Sequence, residues 1–139
     1  MIKSRYFEIH ELIPEELYHS IHEDVLWRMV PQKLIETIDT VKNKFPNGSM
    51  SINDYEWAGQ RRWSGLRTVG SKWYSFWSQH TTLNAVDAVF SRYDVEDIRH
   101  YILDNPNEFP HIGGIELDVS WLHVDCRPRR DGKIITFTV

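Results

Sequence analysis

The spacing of apolar residues changes period partway along the chain, and this change limits the fold more than any other feature. Over residues 13–30, IPEELYHSIHEDVLWRMV, the positions Leu17, Ile21, Val25 and Leu26 fall roughly on one helical face, and acids follow Pro14 as a helix N-terminus favours. Residues 31–45, PQKLIETIDTVKNKF, repeat the helical spacing with Leu34, Ile38, Val41 and Phe45, and PNGS at 46–49 stops it. Beyond that point the character changes. MSINDYEW alternates in part and reads as a strand, AGQRRWSGLR, with Gly59 and Gly65, as a turn and a short strand, and TVGSKWYSFW as an aromatic loop. NAVDAVFS at 84–91 is a strand with Ala85, Asp87 and Val89 on one side and Val86, Ala88 and Phe90 on the other. The helical period returns once, in DVEDIRHYILDN, where Asp94 is placed to cap and Val95, Ile98 and Ile102 form a stripe. After the turn-rich NPNEFPHIGG, the segments IELDV, WLHVDCR and IITFTV close the chain as strands, with RRDGK as a turn. Helices first, then strands with one helix between, predict an α+β fold with a central, mainly antiparallel sheet. One domain over 1–139 is expected, with 1–50 as a helical N-terminal part and 51–139 as the sheet.

A chain of 139 residues is long enough to bury a core without covalent staples, and its one cysteine, Cys126, leaves no intramolecular disulfide to form. Cys126 reads as a small hydrophobe rather than a nucleophile. The net charge of -4 argues against non-specific nucleic-acid binding, so RPRRDGK reads as a solvated edge. No run approaches the ~20 apolar residues of a membrane span, and the N-terminus lacks the apolar stretch of a secretory signal. The expected product is made in the cytoplasm without a signal peptide and reaches any target beyond the membrane only by lysis or by delivery. Core packing is the expected role for most of the six tryptophans, with a groove for sugars or peptides as the functional alternative at Trp57, Trp63, Trp73 and Trp77.

Four polar residues stand out against this background. SQHTTLNAVD places His80 and Asp87 seven positions apart, a pair that by itself reads as a polar loop. In WLHVDCR, His123 and Asp125 project from the same face of a strand, where burial is costly unless the pair is used. Together these segments offer two imidazoles and a carboxylate, the donor count of a catalytic zinc site with one position left open. His19 and His22 read as solvated helix residues and His111 as a turn residue, while His10 and His100 show nothing distinctive.

These segments resemble a known family. WSGLR, Trp63 to Arg67, resembles the SGYR element of the peptidase M15 family, the zinc D,D-peptidases. SQHTTLNAVD is similar to the family's S-x-H-x-x-G-x-A-x-D signature, matched at Ser78, His80, Ala85 and Asp87. WLHVDCR is similar to the FVHVDVR strand of the compact subfamily found in phage and bacterial cell-wall peptidases. The three blocks stand in the family's order and cover residues 63–127, roughly half of the chain. The resemblance implies the hedgehog/D,D-peptidase fold and one Zn²⁺ held by His80, Asp87 and His123, with water as the nucleophile. It implies that Arg67 holds a substrate carboxylate or the developing oxyanion, with Ser78 and Trp63 beside the substrate. It also implies peptidoglycan stem peptides or cross-links as substrate, and a lysin released at lysis or carried by a virion particle.

Two positions depart from the pattern. Leu83 stands where the family has glycine, which predicts a different loop conformation between His80 and Asp87. Ser120 stands three residues before His123, where many members carry the acid that activates water. Asp125 is the first substitute, unless it orients a ligand instead, followed by Asp118 and then Glu116. The alternative these departures support is a catalytically degenerate member of the fold, serving as a virion structural or wall-binding component.

Overall fold

The computed structural model describes residues 2–139. Among these described residues, four helices, α1 (Glu15–Ser20), α2 (Glu23–Met29), α3 (Gln32–Lys44) and α4 (Val95–Asp104), accompany five strands. The strands are β1 (Met50–Ser51), β2 (Ala85–Phe90), β3 (Gly114–Glu116), β4 (Leu122–Asp125) and β5 (Ile135–Phe137), in the order β1-β2-β4-β3-β5. The class is α+β, as the change of period predicts.

The single helix expected over 13–30 is two. Ile21 adopts extended backbone, and the His22 side chain accepts from the Asp24 N–H at 3.1 Å, capping α2. The break rotates the apolar face, so Leu26 and Trp27 are buried while Val25, expected in the stripe, is exposed. α3 follows its pattern, with Leu34, Ile38 and Val41 fully buried. α4 begins where Asp94 accepts from the Glu96 N–H at 2.9 Å and buries Ile98 and Ile102.

The sheet corrects the expected pairing. Three neighbour pairs are antiparallel, but β5 runs parallel to β3, so the sheet is mixed rather than mainly antiparallel. The reason is positional. β4 already has β2 on one side and β3 on the other, so the chain returning from β4 adds to the outer edge of β3, antiparallel to β4 and hence parallel to β3. Two strands are also shorter than the sequence suggests. Pairing of β1 ends at Ser51, and Tyr55–Trp57 forms a 3-10 turn instead. Residues 58–67 form no strand and are held by single backbone bonds, from Leu66 to the Leu12 carbonyl (2.9 Å) and from Arg67 to that of His80 (3.0 Å).

One core joins the two parts of the chain. Phe7, Ile9, Leu12, Leu26 and Ile38 pack in the same cluster as Val86, Ala88, Ile115, Leu122 and Val124. Each such aliphatic side chain contributes roughly 1.5–3 kcal/mol through burial, which fixes one face of β2 and β4 inward. The alternate face is thereby set outward, and it carries the polar residues.

RPRRDGK is not simply a solvated edge. Arg129 donates to the carbonyls of Ile112 (2.7 Å), Phe109 (2.7 Å) and Pro106 (3.0 Å), tying the turns before β3 to the strand that leaves the sheet. No helix among the described residues is long and apolar enough to cross a membrane.

Candidate metal centre

The centre grows from the register of two strands. β2 and β4 pair with Asp87 directly opposite His123 and Ala85 opposite Asp125, on the face turned away from the core. A slip of one residue would drive Asp87 into the core and Val86 into water, so core burial enforces the pairing. His80 arrives from a 3-10 turn, Gln79–Thr82, capped by the Ser78 hydroxyl, which accepts from the His80 N–H at 3.2 Å. His80, Asp87 and His123 thus meet, each offering a ligand atom within 4.8 Å of the others.

Hydrogen bonds fix the tautomers. His80 Nδ1 lies 2.8 Å from the Gly65 carbonyl, which can only accept, so Nδ1 carries the proton and the Nε2 lone pair faces Asp87 Oδ1 at 3.3 Å. His123 Nε2 lies 2.9 Å from Asp125 Oδ2 and donates to it, which leaves Nδ1 directed at Asp87 Oδ1 at 2.9 Å. Two imidazole nitrogens and a carboxylate oxygen therefore converge, with second bonds that hold each ring in place. Such convergence requires protons or a cation between the groups, and the donor set suits zinc.

The electrostatics agree. Burial works against charge on Asp87, but the His123 and His80 rings, when doubly protonated, donate to it and outweigh burial, holding this carboxyl well below the usual carboxylate range. Burial also opposes the charged form of His123, yet Asp125 and Asp87 push it up to about 9. The Asp125 carboxyl, despite burial, is lowered by His123 and Arg127.

The remaining residues singled out from the sequence take these positions. Arg67 donates through Nη2 to Asp87 Oδ2 at 2.9 Å and through Nε to the Trp63 carbonyl at 2.9 Å, so its guanidinium grips the Asp87 carboxylate itself. Asp125 is fully buried, and Arg127 occupies it through Nε (2.7 Å) and Nη2 (2.6 Å) while His123 takes Oδ2. Asp118 is exposed, with left-handed backbone at φ 61°, and Ser120 is exposed. Glu116, ranked last of the three acids, lines the cleft with an oxygen 4.0 Å from His123 Nδ1.

Leu83 sits at φ 53°, ψ 41°, the left-handed conformation that glycine favours, and it keeps its side chain in the core. The chain thus makes a glycine-type turn with a leucine.

Arg127 is the residue that sequence reasoning missed. Its signal was present, because the alternation that puts His123 and Asp125 on one face carries on to position 127. Close approach accounts for two of the glycines beside the centre. A Cβ on Gly65 would lie 2.2 Å from the Leu12 carbonyl oxygen, and one on Gly114 would lie 2.5 Å from Asp125 Oδ1. Gly114 faces Asp125 across the β3–β4 pair, so its missing side chain makes room for the Asp125–Arg127 contact.

Three of the other histidines make contacts elsewhere. His22 is a helix cap, His111 pairs with Glu36 at 2.7 Å, and His10 is buried against Trp57, with ring centroids 4.9 Å apart. Cys126 is partly buried, its thiol pushed up by burial.

The centre lies in a cleft of about 860 Å³ lined also by Arg61, Arg62, Trp73, Trp77, Trp121 and Phe137. Core packing does not hold for most of the tryptophans. Trp27 is buried and Trp63 half-buried, while Trp57, Trp73, Trp77 and Trp121 are exposed. Comparison of the chain with protein-family models, with curated proteins and with solved structures finds no match.

Proposed function

We propose that this protein is a zinc-dependent peptidase of the M15 type that hydrolyses peptide bonds in peptidoglycan. The observation that supports it most is the convergence of His80, Asp87 and His123, separated by up to 43 positions in sequence, on one point in a large cleft. Zinc bound there would supply a Lewis acid that polarises the scissile carbonyl and lowers the pKa of the attacking water.

The chain's own groups divide the remaining work. Gly65 and Asp125 hold the two imidazoles by their outer nitrogens, and Arg67 holds the carboxylate. Glu116 is the acid positioned to accept the proton of the water, since both oxygens of Asp125 are already engaged and Asp118 faces solvent. Arg127, partly exposed in the cleft, orients Asp125 and presents positive charge to an anionic peptide group. The hedgehog/D,D-peptidase fold and a phage setting, either a lysin released at lysis or a component carried by a virion, belong to the same proposal.

The test is direct. Purified protein is expected to take up about one zinc per chain, as the ligand count requires, and to release new amino groups from purified cell-wall peptides. His80→Ala and Asp87→Ala should lose both properties. A wild-type chain that stays metal-free after zinc loading overturns the proposal. Stoichiometric zinc without hydrolysis of any muropeptide assigns the protein to the non-catalytic, wall-binding reading that the exposed Ser120 favours.

A further inference from the structure

Trp73, Trp77 and Trp121 are 57%, 86% and 36% exposed, and all three line the cleft that holds the metal centre. Indoles left in water at a cleft wall are surfaces without a partner. Two of them are braced. Phe76 meets Trp77 edge-on at 4.9 Å, and the Lys72 ammonium lies 4.5 Å from the Trp73 ring centre. Such contacts orient a ring while leaving much of it open. Trp73 and Trp77 come from the loop between Arg67 and His80, and Trp121 from the turn before β4, so two separate stretches of chain bring flat apolar faces to one cleft.

The polar part of the cleft lining narrows the occupant. Gln60, Ser75 and Gln79 line the same cleft and offer neutral donors and acceptors. A lipid or an apolar peptide would favour a continuous apolar wall, and a nucleic acid would meet Arg61, Arg62, Arg67 and Arg127 but also Asp87 and Glu116, on a chain of net charge -4. A pyranose fits both features, with a C–H face that lies against an indole and hydroxyl and acetamido groups that meet amides and hydroxyls. The cleft, at about 860 Å³, exceeds what one scissile peptide unit fills.

We propose that the aromatic part of the cleft is a glycan subsite, which takes the N-acetylhexosamine strand to which the stem peptide is attached. The preferred substrate is then glycan-linked peptide rather than free peptide. The identity of the polymer rests on the peptidase reading, but binding of the sugar needs no metal.

The experiment therefore has two arms. In the first, metal-free protein is titrated with the N-acetylglucosamine tetramer while tryptophan fluorescence is followed, for wild type, Trp77→Ala and Trp57→Phe. Saturable change is expected, with affinity about tenfold lower in Trp77→Ala, equivalent to about 1.4 kcal/mol, and wild-type affinity in Trp57→Phe, which lies outside the cleft. Trp77 is 86% exposed, so its truncation should leave thermal unfolding unchanged and the binding result readable. In the second arm, zinc-loaded protein is given a glycan-linked stem peptide or the same peptide free. A kcat/KM about tenfold higher for the linked form, with the preference lost in Trp77→Ala, supports the subsite. No fluorescence response and equal hydrolysis of the two substrates overturn the subsite and leave the peptidase reading standing. Sugar binding without hydrolysis of either substrate keeps the subsite and overturns the peptidase reading. Self-association that is abolished by Trp77→Ala but not by the tetramer would assign the indoles to a second copy of the chain and overturn the subsite.

Discussion

In the proposed peptidase, Asp125 and Glu116 divide the acid chemistry of the centre, and the division can be measured. Asp125 accepts from His123 Nε2 at 2.9 Å and from Arg127 at 2.6 and 2.7 Å, a position that orients a ligand. Asp125→Asn should weaken zinc binding by about 10–100-fold, read by competition with a chromogenic chelator. Glu116→Gln should retain zinc and lose about 10²–10⁴ in kcat, read on a cell-wall peptide. Asp118→Asn is the counter-test, and a kcat loss as large as that of Glu116→Gln would move the proton acceptor to Asp118. Sequence spacing favoured Asp125 because it shares a strand face with His123. What spacing did not carry is that Arg127, one step further on the same face, folds back and saturates that carboxylate.

The elements explain why such side chains stay in place. The register of β2 and β4 puts Asp87 opposite His123, and the burial of Val86, Ala88, Leu122 and Val124 beneath them holds it. The turn between His80 and Asp87 depends on Leu83, which combines a left-handed backbone with a fully packed side chain. Leu83→Gly would relieve roughly 1 kcal/mol of backbone strain but forfeit roughly 2–5 kcal/mol of packing. The variant is therefore expected to be less stable in chemical denaturation, and a gain in stability would show that the backbone term dominates. The helices were legible where the period was long and uniform, as in α3 and α4. The division of residues 13–30 into α1 and α2 was not, because a histidine acting as a cap at position 22 looks like any helical residue in sequence. The loop of residues 58–78 takes its shape from contacts with Leu12, Asn53, Asp54, His80 and Asp87, which no local pattern announces.

At the scale of the whole molecule, the N-terminal part and the sheet share one core, and Glu11 stands at their junction. Its carboxyl is buried, and burial pushes it up to about 7 against the bonds it accepts from the backbone of Glu8 and Ile52. The sign follows from linkage. The fold favours the protonated form, so this contribution is complete below about pH 4.5 and is lost as pH rises through about 7. The full span is worth up to about 3 kcal/mol. Wild-type stability in denaturant should therefore fall between these pH values, and Glu11→Gln should flatten that part of the profile. An unchanged profile in Glu11→Gln would place the dependence elsewhere.

The α+β class, the α3 and α4 helices, the β2 and β4 strands and the three candidate ligands were determined by the sequence itself. Period and residue type are local properties, and His80, Asp87 and His123 carry their chemistry wherever the chain puts them. The mixed sheet, the tautomers set by Gly65 and Asp125, the engagement of Asp125 by Arg127, the approach of Glu116 and the exposure of Trp73, Trp77 and Trp121 were decided only in three dimensions. Each of these depends on which surfaces are left once the core has closed, and no local stretch of sequence contains that information.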